Sequence, residues 1–198
     1  MRIPKVLVSV LTACGVISAH ADLFQYSVNF SDAGEALPSS GTGFGLVSYD
    51  NALHTLALSV TFSGLTGITT ASHIHAPTAV ALTGNGGVAT TTPSLALFPL
   101  GVSSGSFANT LDLTLASSYN PAFVTAHGGN TTQAETDLAA SFAAGKAYWN
   151  IHSSYAGGGE IRGFLVPVPE PGTYALAGLA AVGLVAGVWG RKGRASKS

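Results

Sequence analysis

Residues 55–62, TLALSVTF, contain the clearest alternation of apolar and polar side chains in the chain. Leu56, Leu58, Val60 and Phe62 fall on one face of an extended strand, and small or hydroxylated side chains fall on the other. A strand with one apolar face is typical of an antiparallel sheet that covers a core on one side only. The stretch therefore predicts an all-β architecture.

Strands are also predicted on both sides of this stretch, wherever an apolar run ends at Gly, Pro, Asn or Asp. The predicted strands cover 24–30, 44–49, 55–62, 72–75, 95–100, 106–115, 147–153 and 160–166. One short helix is predicted over 131–144, with Thr131 or Thr132 as its N-cap and Gly145 at its end. Many short strands and a single helix favour an antiparallel β-sandwich or a partly open barrel over residues 22–167.

Residues 1–21 have the features of a secretory signal peptide: a basic start, an apolar run and small residues at the cleavage site. Cleavage is predicted after the Ala19-His20-Ala21 triplet. In a competing interpretation, Leu11-Thr12-Ala13-Cys14 is a lipoprotein signal and Cys14 is lipidated, although the apolar run before it is short. Because Cys14 is the only cysteine, cleavage after Ala21 leaves an exported domain without disulfides or thiolate sites.

Residues 168–198 carry a second targeting pattern. Its parts, in order, are the motif Val168, Pro169, Glu170 and Pro171, an apolar run over 173–190, and a basic end over 191–198 that contains Arg191, Lys192 and Arg194. The run predicts a transmembrane helix, whose uncharged stretch 174–189 would span roughly 25 Å of the roughly 30 Å hydrocarbon core. The basic end is expected to stay on the cytoplasmic side of the membrane.

A Pro-Glu-Pro motif, an apolar helix and a basic end in this order resemble the PEP-CTERM sorting signal. The resemblance implies recognition by an exosortase, a membrane-embedded peptidase of Gram-negative bacteria that make exopolysaccharide. It also implies that the chain is cut near the motif, so that the helix is a transient anchor in the membrane. The processed protein is then expected in the cell envelope, on the outer surface or outside the cell.

The net charge of the exported part differs from that of the whole chain. Six of the eight basic residues lie at the two ends of the chain, which leaves Lys146 and Arg162 against nine acidic residues, Glu170 of the sorting motif among them, and a net charge of −7 for residues 22–190. Nucleic acid and anionic polysaccharide are poor electrostatic partners for such a domain. Neutral glycans and multivalent cations are better ones.

Three stretches carry a second resemblance: ASHIHAP at 71–77, AYWNIHS at 147–153 and GGEIRGFL at 158–165. In this order they resemble the motifs of the CHRD domain, with Ser72 where alanine is usual, Ala76 where glycine is usual, and Trp149 within the penultimate strand. The resemblance covers roughly residues 24–166 and implies an antiparallel β-sandwich, an immunoglobulin-like barrel. The molecular activity of this family is largely undefined.

The histidines of these stretches form a candidate metal site. His73 and His75 lie on one face of a strand, and Tyr148, Asn150 and His152 share a face of another. If the two strands are close, three imidazoles converge, and imidazole is a good ligand for Zn or Cu. The alternative is structural: the histidines hydrogen-bond to the backbone and to Tyr148 or Asn150, and hold the strands together.

Glu160 and Arg162 lie two residues apart on the predicted last strand, and the expectation is a structural role, either an ion pair between them or an arginine that hydrogen-bonds to the backbone. No nucleophile motif, metalloprotease motif, phosphate loop or nucleotide fingerprint occurs in the sequence. The chain is therefore expected not to be an enzyme, and no cofactor is implied other than a Zn or Cu ion.

Two functional hypotheses follow. The first is an exported, non-catalytic structural or adhesive domain of the cell surface or extracellular matrix, linked to exopolysaccharide or biofilm. Its expected partners are an exosortase, the membrane and surface polymers or proteins, and not nucleic acid. The second is a periplasmic or extracellular metal-binding β-sandwich that uses His73, His75 and His152.

Overall fold

The computed structural model describes residues 23–169. The predictions for the signal peptide with Ala19 and Ala21, for Glu170 and Pro171, for the transmembrane helix over 173–190 and for the basic end lie outside these residues. Among the described helices, none combines the length and apolar character that a membrane crossing needs.

A five-stranded antiparallel sheet forms one layer of the fold. Its strands are β1 (Leu23–Phe30), β2 (Thr42–Asp50), β3 (Thr55–Ser63), β5 (Gly105–Asp112) and β8 (Val166–Pro167), in the order β5-β3-β2-β1-β8. The alternation in β3 is confirmed, because its apolar residues are buried and Ser59 and Thr61 face solvent. The apolar face of this large sheet covers the core.

A three-stranded antiparallel sheet forms the second layer. Its strands are β4 (Thr69–His75), β6 (Tyr148–Ser153) and β7 (Ile161–Phe164), in the order β4-β6-β7. Every residue of the central strand β6 is buried, on both faces of the sheet. The inner face meets the core, and the polar outer face is covered by loops.

The core lies between the two sheets and runs from Tyr26 to Leu165. At its centre the fully buried Trp149 packs edge to face against Phe30, with ring centroids 5.6 Å apart. Because every core residue lies within 26–165, the segment 22–169 contains all the apolar contacts of the core and is expected to fold without the targeting segments. The predicted β-sandwich is confirmed.

The helices and several strands differ from the predictions; the predicted last strand over 160–166, for example, is β7 in the small sheet and β8 in the large sheet. The described residues contain two α-helices rather than one: α1 (Pro121–Ala126) and α2 (Thr131–Ala143). The N-cap of α2 is Asn130, not Thr131 or Thr132, because the Asn130 side chain accepts the hydrogen bond from the Gln133 amide at 2.9 Å.

The predicted strand over 95–100 is a series of turns, in which Phe98 N–H donates to the Leu95 carbonyl and Leu97 has a φ of 67°. The predicted strand over 106–115 ends at Asp112, whose carboxylate accepts the Thr114 amide at 2.9 Å and starts a turn. In these segments Leu95, Phe98 and Leu113 are buried, whereas Leu97, Leu100 and Leu115 are exposed, so the apolar run does not form one buried strand face.

Two residues that depart from the CHRD-like pattern contact each other in the core. Trp149 Nε1 donates to Ser72 Oγ at 2.8 Å, and Ser72 Oγ donates to the Asn150 carbonyl at 2.9 Å. A buried indole N–H needs an acceptor, and the serine at 72 supplies it. The tryptophan and the serine are therefore one structural feature.

The Ser72→Ala substitution is expected to destabilise the domain by about 1–3 kcal/mol, because it leaves the buried Trp149 N–H without an acceptor. In the Ser72→Ala background, Trp149→Phe should cost less than it does alone, since the orphaned donor is removed with the indole. Urea unfolding of residues 22–169 measures both effects, with the solvent-exposed Ser59→Ala as control. Additive effects of the two substitutions would contradict the coupling.

Candidate metal centre on the small sheet

The pairing of β4 with β6 brings the predicted histidines together. His73 lies opposite Asn150 and His75 opposite Tyr148, while His152 lies opposite Ala71. All three imidazoles project from the outer face of the small sheet, and each residue is at least nine-tenths buried. One nitrogen from each ring lies within 4.8 Å of the others.

One ring nitrogen of each imidazole is hydrogen-bonded to a backbone carbonyl of a covering loop. His73 Nε2 lies 2.6 Å from the Pro93 oxygen, His75 Nδ1 lies 3.0 Å from the Gly86 oxygen, and His152 Nδ1 lies 3.0 Å from the Gly157 oxygen. A carbonyl can only accept, so these three nitrogens carry the protons. In neutral rings, the remaining nitrogens are His73 Nδ1, His75 Nε2 and His152 Nε2, each with a lone pair.

Two of these lone pairs, on His73 and His152, face each other with no hydrogen atom between them. His73 Nδ1 lies 3.2 Å from His152 Nε2, so two acceptors face each other unless a proton or a cation lies between them. His75 Nε2 is buried and has no hydrogen-bond partner among the described residues. The arrangement is incomplete as a hydrogen-bond network.

The environment favours the neutral form of all three rings. Burial lowers the pKa of His73 and of His152, and it lowers the pKa of His75 to about 4. His75 is also stacked on Tyr148, with ring centroids 4.7 Å apart and planes 10° from parallel. At neutral pH a bridging proton is therefore disfavoured.

The distance between two of the three nitrogens fits a metal with imidazole ligands. Two nitrogens that each bind Zn at about 2.0–2.1 Å in tetrahedral geometry lie roughly 3.3 Å apart, close to the 3.2 Å between His73 and His152. The loop carbonyls orient the rings from behind, as the hydrogen-bond partners of metal-bound histidines do. The convergence of the three imidazoles that the sequence predicts is present. Of the predicted contacts between these rings and Asn150 or Tyr148, the described residues show the stacking of His75 on Tyr148.

The expected ion pair between Glu160 and Arg162 is wrong. Arg162 points across the outer face to Glu35, with Nε 3.4 Å from Oε1, and donates through Nη1 to Asn85 Oδ1 at 2.6 Å. Glu160 precedes β7 and turns to the end of the sandwich, where four nearby donors reach its carboxylate. The two side chains separate because each has its own set of hydrogen-bonding partners, although the segment between β1 and β2 contributes to both sets.

Glu160 is fully buried and holds three segments together. Its carboxylate accepts the Thr66 and Gly67 amides at 2.5 and 3.1 Å, Ser39 Oγ at 2.6 Å, and the Ser153 hydroxyl. Burial alone would raise the pKa of Glu160, but these hydrogen bonds outweigh it and the pKa lies below its usual value. Glu160 is therefore an ionised structural anchor at the end of the small sheet.

Arg162 and Glu35 line a cleft beside the histidines. The guanidinium lies 4.8 Å from the centre of the Tyr148 ring, and Asn150 lies opposite Arg162 in the sheet. Burial raises the pKa of the Glu35 carboxyl, and the charge of Arg162 offsets part of that effect. Glu35, Asn85 and the loop carbonyls of Gly86, Pro93 and Gly157 were not predicted, because their loop sequences carry no periodic signal.

The start of the sorting motif is described. Val168 and Pro169 are exposed, and the Val168 amide donates to the Gln25 carbonyl of β1 at 2.8 Å. Glu170 and Pro171 lie outside the described residues. The motif thus begins directly after the last residue of β8.

The domain is a β-sandwich in which the outer face of the second sheet is polar and buried. A CHRD domain model matches residues 24–165, and a PEP-CTERM protein-sorting motif matches residues 167–192. The chain belongs to the CHRD domain family. No curated protein and no solved structure shows significant similarity to it. The sorting motif marks it as an exosortase-targeted protein that is exported across the inner membrane to the cell envelope or surface.

Replacing Glu160 with Gln is expected to destabilise the domain by about 3 kcal/mol or more, because an amide cannot accept from all four donors. The pKa of Glu160 is lower in the folded than in the unfolded state, so its contribution is full above the unfolded pKa of about 4.3 and is lost as the pH falls through the folded pKa.

Unfolding free energies measured between neutral and acidic pH should therefore converge for the wild type and Glu160→Gln at the acidic end. The control is Asp137→Asn, a half-buried helix residue whose carboxylate accepts from one exposed side chain, Gln133. A pH-independent difference between the wild type and Glu160→Gln would contradict the role of the ionised carboxylate.

Proposed function

We propose that this exported protein is a non-catalytic component of the cell envelope or matrix whose CHRD domain binds one Zn or Cu ion on His73, His75 and His152. The observation that carries the proposal is the 3.2 Å approach of two unprotonated nitrogens, His73 Nδ1 and His152 Nε2. The buried His75 Nε2, which has no partner among the described residues, is the third ligand.

The donor set selects the metal. Three imidazoles without thiolate or carboxylate favour Zn and Cu over Ca and Mg, which prefer oxygen ligands. The site lies under loops rather than in an open groove, so the protein holds the metal by pre-oriented rings. The ion would tie β4 to β6 across the outer face and stabilise the folded state by mass action.

Purified residues 22–169 are expected to retain about one equivalent of Zn or Cu after incubation and gel filtration, and to unfold at higher temperature with the metal than without it. His73→Ala, His75→Ala and His152→Ala should each lose most of the retained metal. His54→Ala and His127→Ala are matched controls, because both histidines lie outside the cluster.

Elemental analysis and thermal unfolding measure these outcomes. If the protein is metal-free after incubation with both ions, the metal-binding proposal is wrong and the structural interpretation of the three histidines remains. Equal retention by the cluster variants and the controls would place the metal elsewhere on the chain.

A second candidate function is adhesion within an exopolysaccharide matrix. It is favoured by the sorting signal together with an exported domain, residues 22–167, that carries six more acidic than basic residues. Such a domain suits a neutral glycan rather than an anionic polymer. This role is compatible with the metal centre, which would then be structural.

Deletion of residues 169–198 is expected to abolish surface retention in a host that carries an exosortase, because the sorting motif is lost. Fractionation of cells into periplasm, membrane, surface and medium measures the change. The control is Phe44→Ala, which leaves the tail intact and alters one exposed side chain of the large sheet. Unchanged fractionation of the truncated chain would contradict the role of the tail.

A further inference from the structure

We infer that the cleft beside the metal centre binds a neutral sugar through two adjacent hydroxyl groups. The cleft has a volume of about 420 Å³ and is lined by loop residues and by side chains of β6 and β7. It is here called the arginine cleft and is defined by Glu35, Asn85, Tyr148, Asn150, Tyr155, Arg162 and the loop 157–159. The inference deepens the adhesive role proposed above and is independent of the metal centre.

Three buried polar atoms in the arginine cleft lack a hydrogen-bond partner among the described residues: Glu35 Oε1, Asn150 Oδ1 and Arg162 Nε. The side chains of Glu35 and Arg162 are each 7% exposed, so bulk water does not satisfy them freely. Their mutual contact of 3.4 Å between Nε and Oε1 is longer than a good hydrogen bond. Unsatisfied buried groups of this kind are costly and point to a missing partner.

The other nitrogens of Arg162 and Asn150 are already engaged. Arg162 Nη1 donates to Asn85 Oδ1, Arg162 Nη2 donates to the Gly34 carbonyl, and Asn150 Nδ2 donates to the Gly158 carbonyl at 3.3 Å. These bonds fix the orientation of Arg162 Nε and Asn150 Oδ1. Together with Glu35 Oε1 they leave two buried acceptors and one buried donor for a ligand.

This set matches hydroxyl groups better than ions. A hydroxyl donates one hydrogen bond and accepts others, so adjacent hydroxyls can donate to Glu35 and Asn150 and accept from Arg162. An anion would meet the Glu35 carboxylate, and a cation would meet the Arg162 guanidinium. Because these two charges offset each other, the arginine cleft selects a neutral ligand.

The shape of the cleft agrees with a sugar ring. Tyr155 stands at the rim with 39% of its surface exposed and offers an aromatic face on which the apolar side of a pyranose can pack. Gly159, with a φ of +136°, lies where an added Cβ would be 2.4 Å from Asn150 Nδ2 and 2.8 Å from Glu35 Oε1. Only glycine can therefore approach the Asn150 and Glu35 side chains this closely, and its positive φ also favours glycine.

The test is a titration of ¹⁵N-labelled residues 22–169 with methyl α-D-glucopyranoside, methyl α-D-galactopyranoside and methyl α-D-mannopyranoside, followed by NMR. At least one of them should shift the amides of 34–37 and 157–159 with millimolar affinity. Glu35→Gln and Tyr155→Ala should each weaken that binding about tenfold or more. Phe44→Ala, an exposed aromatic of the large sheet, is the matched control and should bind as the wild type does.

Three results would overturn the inference: no shift at about 100 mM of any of the three sugars, shifts that persist in both cleft variants, or binding of glucuronate alone. Tyr155 is a rim residue, so Tyr155→Ala keeps the test valid if Glu35→Gln fails to fold. A Zn titration of the same sample tests the metal site, and fractionation of the truncated chain tests the sorting tail. Both results are independent of the sugar titration, so failure of sugar binding is distinguishable from failure of the proposed function.

Discussion

The polar outer face of the small sheet must find hydrogen-bond partners while it is buried, and the rest of the structure depends on that requirement. β6 is the central strand, and all of its residues are shielded from water. Its outward side chains, Tyr148, Asn150 and His152, cannot be satisfied by a second apolar layer. Loops cover this face instead, and their carbonyl groups take the ring N–H groups of the histidines and the amide of Asn150.

Two sites result from this one face. Toward β4, loop carbonyls bind one nitrogen of each imidazole and leave the other three nitrogens together. Toward β7, the Gly34 and Gly158 carbonyls orient Arg162 and Asn150 and leave a donor and two acceptors free. In both sites, hydrogen bonds to backbone carbonyls fix the orientation of the histidines, Asn150 and Arg162, and no disulfide takes part.

The sequence predicts the parts of the fold whose residues follow a periodic or local pattern. The alternation of β3, the shared face of His73 and His75, and the helical segment before Gly145 are local patterns, and the structure has them, although the helix is capped by Asn130. The partners of Glu160 and Arg162 could not be predicted, because they come from loops up to 128 residues away in the chain. For 95–100, an apolar run is equally compatible with a strand and with buried turns, and only the packing of Leu95 and Phe98 decides between them.

The position of β1 in the large sheet joins the two ends of the domain. β1 lies between β2 and β8, and Ser31, directly after β1, exchanges backbone hydrogen bonds with Arg162. These contacts join residues far apart in the sequence, so the large sheet is complete only when the last strand has paired with the first. Val166 and Pro167, which pair with β1, stand directly before Val168, where the sorting motif begins. The motif is thus attached to the sheet itself, without an intervening linker.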